Sequence, residues 1–211
     1  MLNRYARAAA TRILTPVAKF LIRLGLSPDA VTILGTLGVC LGALVFFPRG
    51  ELLIGVLVIT AFVFSDTLDG VMARLLGRTS KWGAFLDSTL DRVGDAAIFS
   101  GLAIWFFQGG DDRVMAWLAL GCLILGSVVS YARARAEGLG MTASVGIAER
   151  ADRLVVALVT TGLVGLGLPE VVLKVVLALL FVASAVTIMQ RVLFVRQQCL
   201  DAEADAATPT P

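Results

Sequence analysis

Four aspartates set the chemical question. They stand in two stretches, "SDTLDGVMARLLG" from Ser65 to Gly77 and "WGAFLDSTLDRVGD" from Trp82 to Asp95. At 100° per residue, Asp66, Asp69, Gly70 and Ala73 fall on one helical stripe. Gly83, Asp87, Asp91 and Gly94 share another, with Asp95 at its border. Two antiparallel helices joined by the short segment between them can bring Asp66, Asp69, Asp87 and Asp91 together, with small residues leaving room beside them. Four carboxylates crowded near hydrocarbon repel one another and need cations. Hard divalent ions, Mg²⁺ or Mn²⁺, prefer carboxylate oxygen and are commonly shared with substrate phosphates. Two such ions form a clamp for phosphoryl displacement. Gly70 leaves the backbone open to a phosphate or nucleotide. Two other readings of the same residues stay open. One is interhelical salt bridges, such as Asp69 with Arg74. The other is a proton or ion relay, which usually sets its carboxylates near the membrane midplane rather than at one end.

A second constellation is basic. Arg133, Arg135, Arg153 and Arg191 come from the ends of three apolar segments. A guanidinium grips phosphate through a planar fork, so a cluster of them argues for an acceptor that already carries phosphate. Arg133 and Arg135 are 200° apart on a helix, so at most one of them faces a shared pocket unless the helix frays. Glu149 and Asp152 could orient these arginines or meet acceptor hydroxyls. Arg196 reads as a snorkelling terminal residue. The alternative for every arginine is topology and contact with anionic lipid.

The elements that must carry these residues are membrane helices. The 211 residues are 58% hydrophobic and 16% charged, and the mean hydropathy is +0.88, which describes a polytopic helical bundle rather than a soluble domain. A net charge of +2 gives no nucleic-acid signal. Histidine is absent, so any chemistry runs without imidazole. Cys40, Cys122 and Cys199 are scattered and suggest no disulfide framework; the first two read as small core hydrophobes.

Residues 1–24 alternate basic and apolar and read as an amphipathic helix on the membrane surface. Ser27-Pro28 marks a helix start, with Ser27 at the N-cap and Pro28 at N1. Six spans follow, near 30–47, 51–74, 84–107, 113–136, 152–168 and 170–194. A span needs about 20 mainly apolar residues, and the fifth is the shortest. The pair Gly38 and Gly42 suits close helix packing. The connections "FPRGE", "QGGDDR" and "GLPE" carry only Arg49, Arg113 and the nearby Lys174. The other side holds the remaining 15 of 18 basic residues. By the positive-inside rule both termini and the aspartate site are cytoplasmic. The organisation expected is an interfacial segment over 1–24, a six-span domain over 25–196 and a disordered tail over 197–211.

The aspartate pattern, Asp66-x-x-Asp69-Gly70-x-x-Ala73-Arg74, eight residues, Gly83-x-x-x-Asp87-x-x-x-Asp91, resembles the full signature of the CDP-alcohol phosphotransferase family. Further stretches, "SPDAVTILGT" at 27–36, "FPRG" at 47–50, "SYARARAE" at 130–137 and "IAERADRL" at 147–154, are similar to an actinobacterial branch that makes phosphatidylinositol phosphate. The resemblance covers most of 27–155 and continues more weakly to "MQR" at 189–191. It implies that Asp66, Asp69 and Asp87 bind divalent metal, with Asp91 contributing as a ligand and acting as general base. Gly70 and Arg74 would contact the CDP group, Asp29, Ala30, Val31 and Thr32 would line its site, and Thr79 and Ser80 would assist. Arg135, Arg153 and Arg191, with Arg133, would hold the acceptor's phosphate. The reaction implied moves the phosphatidyl group of CDP-diacylglycerol to inositol 1-phosphate, with release of CMP, in a homodimer. Glycerol 3-phosphate, giving phosphatidylglycerol phosphate, is the alternative acceptor. An ion-coupled transporter is the alternative of another class.

Overall fold

The computed structural model describes residues 14–77 and 80–207, without the side chains of Asp66 and of residues 205–207. Thr79, residues 1–13 of the expected interfacial segment and residues 208–211 lie outside the described residues. Every regular element among the described residues is helical, as expected. The chain divides into two compact units, Met1–Gly110 and Asp111–Pro211.

The first unit opens with a helix over residues 14–23 (α1). Its Ala18 is fully buried, and Leu14, Leu21 and Ile22 pack with it against Val31, Val71 and Met72. Part of the apolar surface of this segment is therefore covered by protein, while Val17 and Phe20 are exposed. Helix α2, Pro28–Leu41, begins as the sequence predicts: the Ser27 hydroxyl accepts from the Ala30 amide at 3.1 Å and Pro28 follows at the first turn. The helix runs on through a π-helical turn, Gly42–Phe46, and a 3-10 turn, Phe47–Arg49. Gly50 then reverses the chain at φ +76, a conformation that suits glycine.

Residues 51–74, expected as one span, form two helices, α3 Leu52–Val63 and α4 Ser65–Leu75. The turn at Phe64 falls where the apolar run meets Ser65. Thr32 Oγ1 of α2 donates to Asp69 Oδ2 of α4. Helix α5, Lys81–Gln108, starts under a Ser80 cap that accepts from the Gly83 amide at 3.0 Å. Helix α2 packs on α3, α4 and α5. A Cβ at Gly38 would enter the Phe62 ring, and one at Gly101 would strike the Ala43 carbonyl oxygen. These glycines set how closely the helices approach.

In the second unit, α6 Arg113–Gly138 and α7 Arg150–Gly165 both pack on α8 Glu170–Ala207. Asp112 caps α6, accepting from the Val114 and Met115 amides at 3.0 and 3.1 Å. It also accepts from Lys174 Nζ at 2.7 Å. The Lys174 bond, helped by the Met115 amide, holds the Asp112 carboxyl below its ordinary value of 3.8. Cys122 is a buried core residue whose thiol donates to the Leu177 carbonyl at 3.3 Å. Helix α8 extends through Ala207, so residues 197–207 are helical here, not the disordered tail expected. Ala, Gln, Leu and Glu dominate that stretch and favour helix, and Gln198 is held by Thr142.

Among the described residues four stretches are long and apolar enough to cross a membrane: Pro28–Arg49, Leu52–Leu75, Arg113–Gly138 and Glu170–Ala204. The other two expected spans correspond to α5 and α7. Helix α5 has the length, with 28 residues, but its stretch from 87 to 95 carries Asp87, Asp91, Arg92 and Asp95. Helix α7 has 16 residues, about 24 Å at 1.5 Å per residue, short of a hydrocarbon core of about 30 Å.

Candidate active site

The aspartate motif lines a cavity of about 620 Å³ inside the first unit. Ser27, Asp29 and Thr32 come from the start of α2, Asp69, Gly70 and Ala73 from α4, and Ser80, Gly83 and Asp87 from the start of α5. Each helix contributes residues three or four apart, because that spacing keeps side chains on one face. Asp69 is buried and held by Thr32, while Asp87 is exposed at the rim. The space beside Gly70 is open except for the Arg74 guanidinium, which a Cβ there would meet at 3.6 Å. Arg74 thus lies along the glycine gap.

Trp82 was not singled out from the sequence. Its indole nitrogen donates to Asp29 Oδ2 at 3.0 Å and ties the start of α5 to the start of α2. The fixed carboxylate is therefore presented at the cavity wall in one orientation. Gly83, Ala84 and Pro28 also line the space. Their signal was spacing: Gly83 opens the second half of the motif, and Pro28 follows the cap.

Ala30, Val31 and Asp91, predicted from the sequence as site residues, are not among the residues that line the cavity. Val31 is buried in the apolar cluster with Ala18, Val71 and Met72, because it lies on the face of α2 opposite the open side of the cavity. Asp29 and Thr32, three residues apart, are the ones of that segment that line the space. Asp91 does not line it; it sits half-buried with its Oδ2 3.7 Å from Arg92 Nη2. Arg92 also reaches Asp95 at 3.5 Å. Among the described residues no three carboxylates stand together as a finished metal cage; the side chain of Asp66 is not among them.

The arginines divide into two kinds. Arg133 and Arg135 are exposed at the end of α6, and Arg133 Nε donates to Glu137 at 2.9 Å. Arg153 and Arg191 are only 2% and 4% exposed. Arg153 Nη1 donates to the Ala148 carbonyl at 2.8 Å and Nη2 to the Gly126 carbonyl at 3.4 Å. Arg191 Nε donates to the Val145 carbonyl at 2.9 Å and its Nη1 to the Val129 carbonyl. A buried cation needs partners, and these carbonyls belong to α6 and to the segment before α7. Thr187 and Gln198 of α8 bond the same segment. Neither belongs to a motif, and no sequence signal points to them.

The family model for CDP-alcohol phosphatidyltransferase matches residues 25–148. A phosphatidylinositol phosphate synthase of Streptomyces avermitilis is 58% identical over 214 residues, covering 99% of this chain and 87% of that protein. One of Cutibacterium acnes is 48% identical over 202 residues, covering 92% and 97%. Among solved structures, Mycobacterium tuberculosis phosphatidylinositol phosphate synthase with CDP-DAG bound is similar at a TM-score of 0.84 and 43% identity, over 87% of this chain and 94% of that one. The same enzyme in complex with manganese and citrate gives 0.83 at 43% identity, over 86% and 88%.

Proposed function

This chain belongs to the CDP-alcohol phosphatidyltransferase family, and from that premise we propose that it transfers the phosphatidyl group of CDP-diacylglycerol to inositol 1-phosphate, giving phosphatidylinositol phosphate and CMP. The names of its relatives support this acceptor, and the CDP-DAG complex of one of them supports the donor. Family membership sets aside the ion-coupled transporter.

The observation that carries the reading is the cavity that brings Asp69, Asp87, Gly70 and Gly83 from two helices to one space. Its donors are hard oxygens, with no thiolate or imidazole, and they fit Mg²⁺ or Mn²⁺. The manganese complex of the mycobacterial relative supports that fit. Asp66, Asp69 and Asp87, with Asp91, would hold the metal, two ions per site. When bound, the ions neutralise the donor diphosphate and stabilise the charge that collects on departing CMP. Arg74 and the open backbone at Gly70 contact the CDP group, with Asp29, Ala30, Thr32, Thr79 and Ser80 around it. Asp91 takes the proton of the acceptor hydroxyl as that oxygen attacks the β-phosphorus. The bond from that phosphorus to the bridging oxygen breaks and CMP leaves. Arg133, Arg135, Arg153 and Arg191 bind the acceptor's phosphate.

The protein is a membrane protein, with several long apolar helices. We read α5 and α7 as passes that complete six spans, with residues 1–24 interfacial, 25–196 catalytic and both termini cytoplasmic. The enzyme works as a homodimer in this reading. The deciding assay uses purified protein, CDP-diacylglycerol and Mg²⁺ with each acceptor in turn and CMP release as readout. Rapid turnover with inositol 1-phosphate is expected; a preference for glycerol 3-phosphate or free inositol would overturn the assignment of acceptor.

A further inference from the structure

We propose that Thr187, together with Gln198, is a positioning residue that aims the two buried arginines. The proposal rests on the reading of those arginines as the acceptor-phosphate site. Thr187 Oγ1 donates to the Ala183 carbonyl at 2.8 Å within its own helix. It accepts from the amides of Ile147 at 3.2 Å and Ala148 at 3.1 Å. One donor and two acceptor sites are all a hydroxyl has, so Thr187 is fully committed to pinning this backbone.

The pinned backbone is the one that the arginines grip. Arg191 Nε holds the Val145 carbonyl and Arg153 Nη1 holds the Ala148 carbonyl. Two guanidiniums from two helices are thus anchored to a four-residue stretch that itself hangs on Thr187. Gly146, between them, has φ +140, and a Cβ there would collide with the Thr187 methyl. Eleven residues along α8, the Gln198 amide pairs with both backbone groups of Thr142, accepting its N–H at 3.0 Å and donating to its C=O at 2.7 Å. One helix therefore fixes the segment at both ends.

A planar fork binds phosphate well only when its orientation is held to within about 0.5 Å. Without the Thr187 hydroxyl, Arg153 and Arg191 keep their charge and lose their aim. Acceptor affinity falls, while the donor cavity, built from residues 27–87, keeps its own contacts.

The test is steady-state CMP release with both substrates varied. Thr187→Val should raise the acceptor KM roughly five- to hundredfold, the range set by leaving buried amides unbonded, with donor KM held within about twofold. Thr187→Ser, which restores the hydroxyl, should return the acceptor KM to within about threefold of wild type. An unchanged acceptor KM in Thr187→Val overturns the proposal. So does an equal rise in both KM values that serine does not rescue, because that is general structural damage. If Thr187→Val fails to fold, Gln198→Leu at the more exposed end decides: acceptor KM should rise severalfold, and no change overturns the proposal. The wild type keeps the two claims apart. A preference for glycerol 3-phosphate would sink only the inositol reading, and the variants are then scored on glycerol 3-phosphate, which carries the same group. A wild type that uses only unphosphorylated alcohols overturns both.

Discussion

Asp87 stands exposed at the rim of a 620 Å³ cavity, and Asp69 lines its wall. Arg153 and Arg191, in the other unit, are buried and bonded to backbone carbonyls. Both sets are charges in a largely apolar chain, and they are housed in opposite ways. In the proposed reading the carboxylates face a space that a cation and a diphosphate enter, although Asp69 also accepts from Thr32 within the fold. The guanidiniums take part of their partnership from the fold, so in that reading they are structural members as well as binding groups. A charge of the first kind can be neutralised with little harm to folding. One of the second kind cannot be removed without leaving carbonyls unbonded.

The largest break in that comparison is expected at the aspartates. Asp66→Asn, Asp69→Asn and Asp87→Asn should each cut CMP release on the order of 10³-fold or more, because a Lewis-acid contribution of several kcal/mol is lost. Their Tm should match wild type or rise in metal-free buffer, since one like charge is gone. Near-normal turnover of Asp69→Asn at saturating Mg²⁺ would end the metal reading.

Asp91→Asn sharpens the same half. The general-base role predicts a kcat loss of roughly 10²–10⁴-fold with donor affinity retained. Its place outside the cavity wall makes this a direct question, answered by measuring CDP-lipid affinity beside kcat. Loss of affinity with little loss of rate would make Asp91 a ligand only.

For the arginines, Arg153→Ala should raise acceptor KM roughly ten- to hundredfold, because a charge-assisted bond to phosphate contributes about 1.5–3 kcal/mol. Unlike the aspartate variants it should also lower Tm, since the Ala148 carbonyl loses its Arg153 donor, whereas the Gly126 carbonyl keeps the Ser130 hydroxyl. Arg153→Lys should recover only part of either loss, for want of the fork. An Arg153→Ala protein with unaltered Tm would erase the contrast between the two units.

The smallest effect belongs to Asp112. Its folded pKa lies below the ordinary 3.8, so its bond to Lys174 stabilises the fold fully above that pH. The contribution is lost as pH falls through the depressed folded value. Asp112→Asn should lower Tm slightly near neutrality, and the gap to wild type should close under strong acid. A gap that widened on acidification would contradict the sign.

Much of the first unit was legible in the sequence because its information is local. Asp66, Asp69, Asp87 and Gly83 sit at helical spacings, and the Ser27 cap announces α2. The π-helical turn at Gly42–Phe46 was not legible, because apolar residues continue through it, and the end of the apolar run at Phe64 was read as a change of polarity within one span rather than as a break between two helices. The second unit was read less well for a different reason. Arg153 and Arg191 could be named as basic residues, but their partners are carbonyls of residues 126, 129, 145 and 148, which no side-chain pattern records. Thr187 and Gln198 act on backbone 39 to 56 residues away, a separation at which a single sequence is silent. The helical run beyond residue 196 was masked by an acidic composition that also suits a solvated tail.

Trp82 has a further use. Its indole is the group that holds Asp29 at the cavity wall, and an indole is also a fluorophore. A donor nucleotide that engages Asp29 must either share that carboxylate or displace the indole from it, and either event changes the polarity around the ring. If the donor engages Asp29 as proposed, the protein carries its own optical gauge of donor arrival, one that needs no label and no turnover. With Trp105 and Trp117 replaced by phenylalanine, the emission of a single residue would follow the first substrate into the site in real time.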